Sequence, residues 1–156
     1  MDRKNVILLS GAGQIGMAIA RRMGYGMKII IGDIKIENAE KISKIMNDAG
    51  YDAEAAEMDL SDRNSIKSFI AKGQNYGDIK MLVNAAGVSP SQASIQTILK
   101  VDLYGTAVLL EEVGKVYLFG RRRNNNLKPI RQAYATAHRT GRRHARLHPH
   151  RRAAVA

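Results

Sequence analysis

The feature that most constrains this chain is a six-residue turn, Gly11-Ala12-Gly13-Gln14-Ile15-Gly16, set between an apolar run and an amphipathic one. Val6-Ile7-Leu8-Leu9 has the unbroken aliphatic character of a parallel strand buried on both faces. Gln14 to Met23 carries Ile15, Ala18, Ile19 and Arg22 at helical spacing, with Gly24 and Gly26 as its stop. In that strand-to-helix setting a Gly-x-Gly-x-x-Gly turn reads as a phosphate cradle. Gly11 permits the tight turn, Gly13 lets the backbone approach a pyrophosphate, and Gly16 lets the helix pack closely on the strand. The helix start, with Gln14 and Ile15, adds unpaired N–H groups and a partial positive charge.

The alternation continues downstream. Met27 to Ile31 reads as a second strand closed by Gly32-Asp33, and Glu37 to Ala49 as a helix with Ala39, Ile42, Ile45, Met46 and Ala49 on one face. Ala53 to Met58 is a weaker third strand ending at Asp59. Ser61 is the expected N-cap of a helix running to about Lys72, with Ile66, Phe69 and Ile70 turned inward. Met81-Leu82-Val83 is a fourth strand. Ser94 to Val116 reads as helical in one or two pieces, with Ile95, Ile98, Leu99, Leu103, Val108, Leu109 and Val113 available for burial. Such alternation with short connections implies βαβ units. The expected fold is α/β, a partial Rossmann-type doubly wound parallel sheet.

Asp33 stands at the end of the second strand, 17 residues after Gly16. A carboxylate there accepts hydrogen bonds from an adenosine ribose and repels a 2′-phosphate, which favours NAD over NADP. No arginine follows directly, and Lys35 is the nearest cation. To this point an S-adenosylmethionine-dependent methyltransferase fits almost as well. Asn84-Ala85-Ala86-Gly87 tips the balance, because it resembles the Asn-[Asn/Ala]-Ala-Gly segment of the short-chain dehydrogenase/reductase family. The resemblance implies that this segment steadies the sheet beside the cofactor. Asp59-Leu60 is similar to the family's Asp-Val or Asp-Leu, which implies a contact from Asp59 to the adenine. Asp102-Leu103-Tyr104-Gly105 stands where the family has Asn-x-x-Gly, so Asp102 occupies the candidate catalytic position with a charge in place of an amide. Four motifs in family order span about residues 5 to 116, although the tighter glycine turn departs from the family's Thr-Gly-x-x-x-Gly-x-Gly. The resemblance implies hydride transfer between NAD and a small alcohol or carbonyl substrate, and leaves a homo-oligomer open.

In that family the chemistry rests on a Ser that orients the carbonyl and a Tyr-x-x-x-Lys in which Lys tunes the Tyr acid/base. No Ser follows Ser94, and Tyr117 and Tyr134 are followed four positions on by Arg121 and His138. The one literal match, Tyr76-Gly77-Asp78-Ile79-Lys80, precedes the fourth strand in what reads as a Gly-containing loop, and is read as chance. The expectation is a chain that binds a dinucleotide without catalysing turnover.

Charge separates the two parts of the chain. The net charge is +11, yet Met1 to Gly114 holds 13 Lys/Arg against 14 Asp/Glu, whereas Lys115 to Ala156 holds 12 Lys/Arg and no acid. Residues 1–116 read as the dinucleotide-binding domain and 117–156 as a basic tail without regular structure. One account of the tail is a nucleic-acid arm, in which Arg121-Arg122-Arg123 and Arg151-Arg152 neutralise phosphates and Tyr134 stacks. A second is a solvated tail without function. The leading expectation is a third, a frameshift. One choice of codons for residues 121–134, read one base on, gives a Gly-Gly-Val-Ile-Ile-Ile strand and a Ser-rich turn, and this would also explain the missing Ser and Tyr-x-x-x-Lys. His138, His144, His148 and His150 have no carboxylate or cysteine nearby, so no selective metal site is expected. The chain has no cysteine and therefore no disulfide. Val6 to Leu9 is too short for a signal peptide or a bilayer span, so the expected setting is cytoplasmic, away from membranes.

Overall fold

The computed structural model of the chain describes residues 3–91 and 93–121, with side chains as far as Tyr117. Most of the basic stretch, including Tyr134, Arg151-Arg152 and the four histidines, lies outside the described residues, and with it the readings of the tail.

The centre is β1 (Lys4–Ser10), whose Val6 to Ser10 are fully buried. It pairs in parallel with β2 (Lys28–Asp33) on one side and β4 (Gly77–Asn84) on the other, and β3 (Asp52–Glu57) lies outside β2, giving the order β3-β2-β1-β4. The chain therefore steps outward through β2 and β3, then crosses back to the far side of β1. The gap above β1 and β4 is the topological switch point, where open α/β sheets bind ligands at the carboxyl ends of their strands.

Alternation along the strands builds two cores. Val6, Leu8 and Ile30 face Ile66, Phe69 and Ile70 of α3 (Arg63–Tyr76) and Val108, Leu109 and Val113 of α5 (Thr106–Arg121). Leu9, Ile29 and Ile31 face Ala20 of α1 (Gln14–Met23) and Ala39, Ile42 and Met46 of α2 (Ile36–Asp48). Each fully buried large aliphatic contributes about 1.5–3 kcal/mol, so the sheet is stabilised from both faces. This is the doubly wound α/β arrangement expected from the sequence.

Several local expectations differ from what is observed. Ser61 is not the cap of α3: Asp62 is, accepting from Asn64 N at 3.2 Å and Ser65 N at 3.0 Å, while Ser61 N donates to Asp59 Oδ1 at 2.7 Å. The helix runs past Lys72 to Tyr76 and passes straight into β4, so Tyr76 to Lys80 is helix end and strand rather than loop. Gly77 allows this junction, because a Cβ there would overlap the backbone of Lys4, its partner in β1. On α1 the inward residues are Gly16 and Ala20, and Ile15 and Ile19 are 75% and 39% exposed. Small residues win that face because the helix lies so close to β1 that a Cβ on Gly16 would sit 2.8 Å from Leu9 Cδ1. The last helical stretch has three parts: α4 (Ile95–Ile98), capped by Ser94; a π-helical turn, Leu99–Gly105; and α5, which continues beyond Val116 to Arg121. Val108, Leu109 and Val113 are buried as expected, whereas Ile95, Leu99 and Leu103 stay exposed; Leu103, six positions before Leu109, lies about 120° round the helix from it and so off the buried face. Among the described residues no helix is long and apolar enough to cross a membrane.

Candidate functional site

The glycine-rich turn leaves β1 at the switch point and is held on three sides. Gly11 N donates to Gly32 O at 2.7 Å, Ala12 N donates to Asp33 Oδ2 at 3.0 Å, and on the other flank Ala85 N donates to Ser10 O at 2.7 Å. Gly11 has φ +91°, a left-handed conformation, and a Cβ there would lie 2.7 Å from the Ala85 carbonyl carbon. Only glycine fits that position. Gly13 is the contrast. It caps α1 with an ordinary extended backbone, φ −93°, and a Cβ on it would meet nothing within 4 Å. Two glycines of the motif are thus required by the protein's own packing, while the third is required by nothing in the protein and faces open space.

Asp33 is half-buried at the end of β2, and its carboxylate accepts from Ala12 N, from Lys35 N at 3.0 Å and from Asn38 Nδ2 at 3.3 Å. A carboxylate offers about four acceptor positions, so one remains for a ligand hydroxyl. Asp59, also half-buried, accepts from Ser61 N through Oδ1, and Leu60 beside it is buried.

The fourth-strand motif touches the first. Ala85 and Ala86 form the wall against Gly11, and the Ala85 side chain also faces Gly16. Asn84 Nδ2 donates to Thr106 Oγ1 at 3.1 Å, and Val88 N donates to Asp102 Oδ1 at 3.0 Å. Gly87 lies against the same carboxylate, where a Cβ would stand 3.2 Å from Asp102 Oδ1. Gly105 presses on the Leu60 backbone so closely that a Cβ would overlap the Leu60 carbonyl oxygen. The four sequence motifs therefore form one contiguous rim over the carboxyl ends of β1, β2, β3 and β4.

Farther back, Arg63 on α3 pairs with Glu111 and with the buried Glu112 of α5, and Lys115 joins both carboxylates. Arg63 and then Lys115 hold Glu111 down at a pKa of about 2. Glu112 is likewise lowered, by Lys115 first, with burial opposing and Arg63 adding to the effect.

Tyr76 lies at the opposite end of the sheet from the rim. Its hydroxyl bonds Glu54, and Lys28 Nζ sits 4.5 Å from its ring centre. The Glu54 hydrogen bond, and then burial, raise the phenol's pKa, the reverse of what an acid/base Tyr near neutral pH needs. Lys80 turns instead to Asp78 at 3.4 Å. This match to Tyr-x-x-x-Lys has no part in the site.

Sequence reasoning missed Asn38, Val88 and Thr106. Val88 and Thr106 directly follow the motifs that end at Gly87 and Gly105, and Asn38 lies five positions after Asp33, but no residue type announced them.

A strand-crossover sheet with a glycine-rich turn at its switch point defines a Rossmann-type nucleotide-binding domain. The family model described as short chain dehydrogenase matches residues 4–123, and the chain belongs to that family. Among curated proteins it is 33% identical over 113 residues to short-chain dehydrogenase/reductase bsc3 of Alternaria brassicicola, covering 72% of this chain and 41% of that protein. Among solved structures it resembles an F189W actinorhodin polyketide ketoreductase with NADPH, at TM-score 0.65 and 25% identity over 72% of this chain and 47% of the other. A metagenomic short-chain oxidoreductase in complex with NADP aligns at TM-score 0.66 and 25% identity, over 76% and 59%. The chain thus spans about two fifths of that curated relative's length.

Proposed function

We propose that residues 1–116 form the nicotinamide-dinucleotide-binding part of a short-chain dehydrogenase/reductase, and that the cofactor is NAD. One observation carries the reading: Gly13 is open where Gly11 and Gly16 are crowded, which leaves the backbone at the start of α1 free for close approach by a ligand. Gly11, Gly13, Gln14, Ile15 and Gly16 would hold the pyrophosphate at the start of α1. Asp33 would take the adenosine ribose through its remaining acceptor position, Asp59 and Leu60 would line the adenine, and Asn84 to Gly87 would support the nicotinamide half.

The two structural relatives carry NADPH and NADP, which supports a nicotinamide dinucleotide. Asp33 is what favours NAD, because a half-buried carboxylate repels a 2′-phosphate. When bound, the nicotinamide supplies hydride transfer to or from an alcohol or carbonyl carbon. After Ser94 the sequence offers no Ser, and after β4 no Tyr-x-x-x-Lys, to orient the carbonyl and move the accompanying proton, so this chain is read as binding without turnover. The basic residues 117–156 are read as a stretch outside the working domain.

Competition between NADH and NADPH tests the cofactor choice. Wild type is expected to prefer NADH by about tenfold, equivalent to about 1.4 kcal/mol, and Asp33→Ala to lose the preference. A wild-type preference for NADPH would reverse the assignment.

A further inference from the structure

With Asp33 as the ribose acceptor, on which this step rests, we propose that Asn38 limits the carboxylate to one hydroxyl of the adenosine ribose. That hydroxyl is the 3′, and Asn38 stands in the place of the 2′. A carboxylate offers about four acceptor positions, two on each oxygen. On Asp33 Oδ1 both are in use, by Lys35 N at 3.0 Å and by Asn38 Nδ2 at 3.3 Å. On Oδ2 one is in use, by Ala12 N at 3.0 Å, and one is open. Two neighbouring hydroxyls that grip a carboxylate as a fork need a position on each oxygen, and Oδ1 has none to give.

Of these three donors, two are backbone N–H groups that almost any residue would supply. Asn38 is the side chain, and so the one donor that a substitution removes. It lies in the first turn of α2, where its backbone N donates to Lys35 O at 3.0 Å. The same turn thus presents Lys35 N and the Asn38 amide to a single oxygen, and the side chain closes what the backbone leaves open.

The partners of the two oxygens tell which hydroxyl is accepted. Oδ2 is bonded to Ala12, in the glycine turn assigned to the pyrophosphate, and Oδ1 to the start of α2. In ribose the 3′ carbon adjoins the carbon that carries the 5′-phosphate arm, whereas the 2′ carbon adjoins the one that carries the base. The 3′-hydroxyl therefore comes to Oδ2, and the 2′-hydroxyl to the side that Asn38 fills. An amide and two backbone N–H groups bring no positive charge, so Asp33 still repels a 2′-phosphate.

Displacement of NADH fluorescence from the full chain by ADP, 2′-deoxy-ADP and 3′-deoxy-ADP tests the limit. For wild type, 3′-deoxy-ADP is expected to bind about three- to tenfold more weakly than ADP, the effect of one lost hydrogen bond, and 2′-deoxy-ADP to match ADP. Asn38→Ala frees the second position on Oδ1. In that variant ADP should bind more tightly than in wild type, and 2′-deoxy-ADP should fall about three- to tenfold behind it. Asn38 is exposed and alanine favours a helix, so the variant is expected to fold. Wild type that feels the loss of both hydroxyls, of the 2′ alone or of neither would overturn the proposal. So would an Asn38→Ala variant in which all three ligands shift by one factor, since that is the mark of a merely structural residue. If wild type does not bind NADH at all, the cofactor reading fails and the role of Asn38 falls with it.

Discussion

Replacing Gly13 by Ala separates what the protein needs from what its ligand needs. The residue sits at φ −93° and ψ 172°, which alanine adopts freely, and the added methyl meets no atom within 4 Å. Removing glycine's freedom in the unfolded chain stabilises by about 0.4–1 kcal/mol. Alanine is a poorer N-cap than glycine, and that loss is of similar size, several tenths of a kcal/mol or more. The two nearly cancel, so the melting temperature should stay within about 3 °C of wild type. Binding should behave differently. A pyrophosphate drawn against the Gly13 backbone needs the space the methyl takes, and NADH affinity should fall at least about tenfold, or 1.4 kcal/mol. Circular-dichroism melting and NADH fluorescence titration on the same preparation read both. Unchanged NADH affinity in a stably folded Gly13→Ala variant would refute the placement of the pyrophosphate.

Gly105→Ala should do the opposite, since its Cβ would overlap the Leu60 carbonyl oxygen and reach 2.8 Å from Leu60 Cγ. Overpacking of this kind costs about 1–3 kcal/mol, and the melting temperature should fall by about 3–12 °C; an unchanged melt would show that α5 can back away from β3's exit. Acid should loosen the α3–α5 contact. Glu111 and Glu112 are held below the ordinary glutamate value of 4.5, so the unfolded chain takes up their protons first. Their stabilisation is present above about pH 4.5 and is lost as pH falls toward 2. Glu111→Gln with Glu112→Gln should melt lower at pH 7 and show a flatter decline between about pH 5 and 3, and parallel declines would remove these groups from the acid response. For the basic stretch, sequencing the gene around codons 113–123 should reveal, one base out of step, a strand and Ser-rich turn followed by Tyr-x-x-x-Lys; a shifted frame without them would end the frameshift account.

The architecture was legible because each strand of the interior reads as an aliphatic run and each glycine stop is local. Val6 to Leu9 and the Gly11 to Gly16 turn announce β1 and its exit without help from the rest of the chain. Helix faces were less legible. Ile15 and Ile19 have the spacing of a buried stripe, but closeness to β1 hands that face to Gly16 and Ala20. The π turn was invisible, because residues 99–105 have no composition that distinguishes them from an α-helix. In the site, residues with a motif were found and their partners were not. Asp33 could be named from its place after β2, whereas Asn38 and Thr106 act through contacts that only the folded chain creates. Tyr76 shows the reverse error that spacing invites: a literal Tyr-x-x-x-Lys that the fold sends to the wrong end of the sheet.

A cofactor cradle retained without the proton-transfer residues that would use it should bind the dinucleotide and leave it unreacted. NADH fluorescence titration and a dehydrogenase assay, run on the same sample of this chain with a panel of small alcohols and carbonyls, test it together. Saturable NADH binding is expected, with turnover indistinguishable from the protein-free control. Absence of binding would contradict the cradle, and turnover above that control would contradict the missing chemistry.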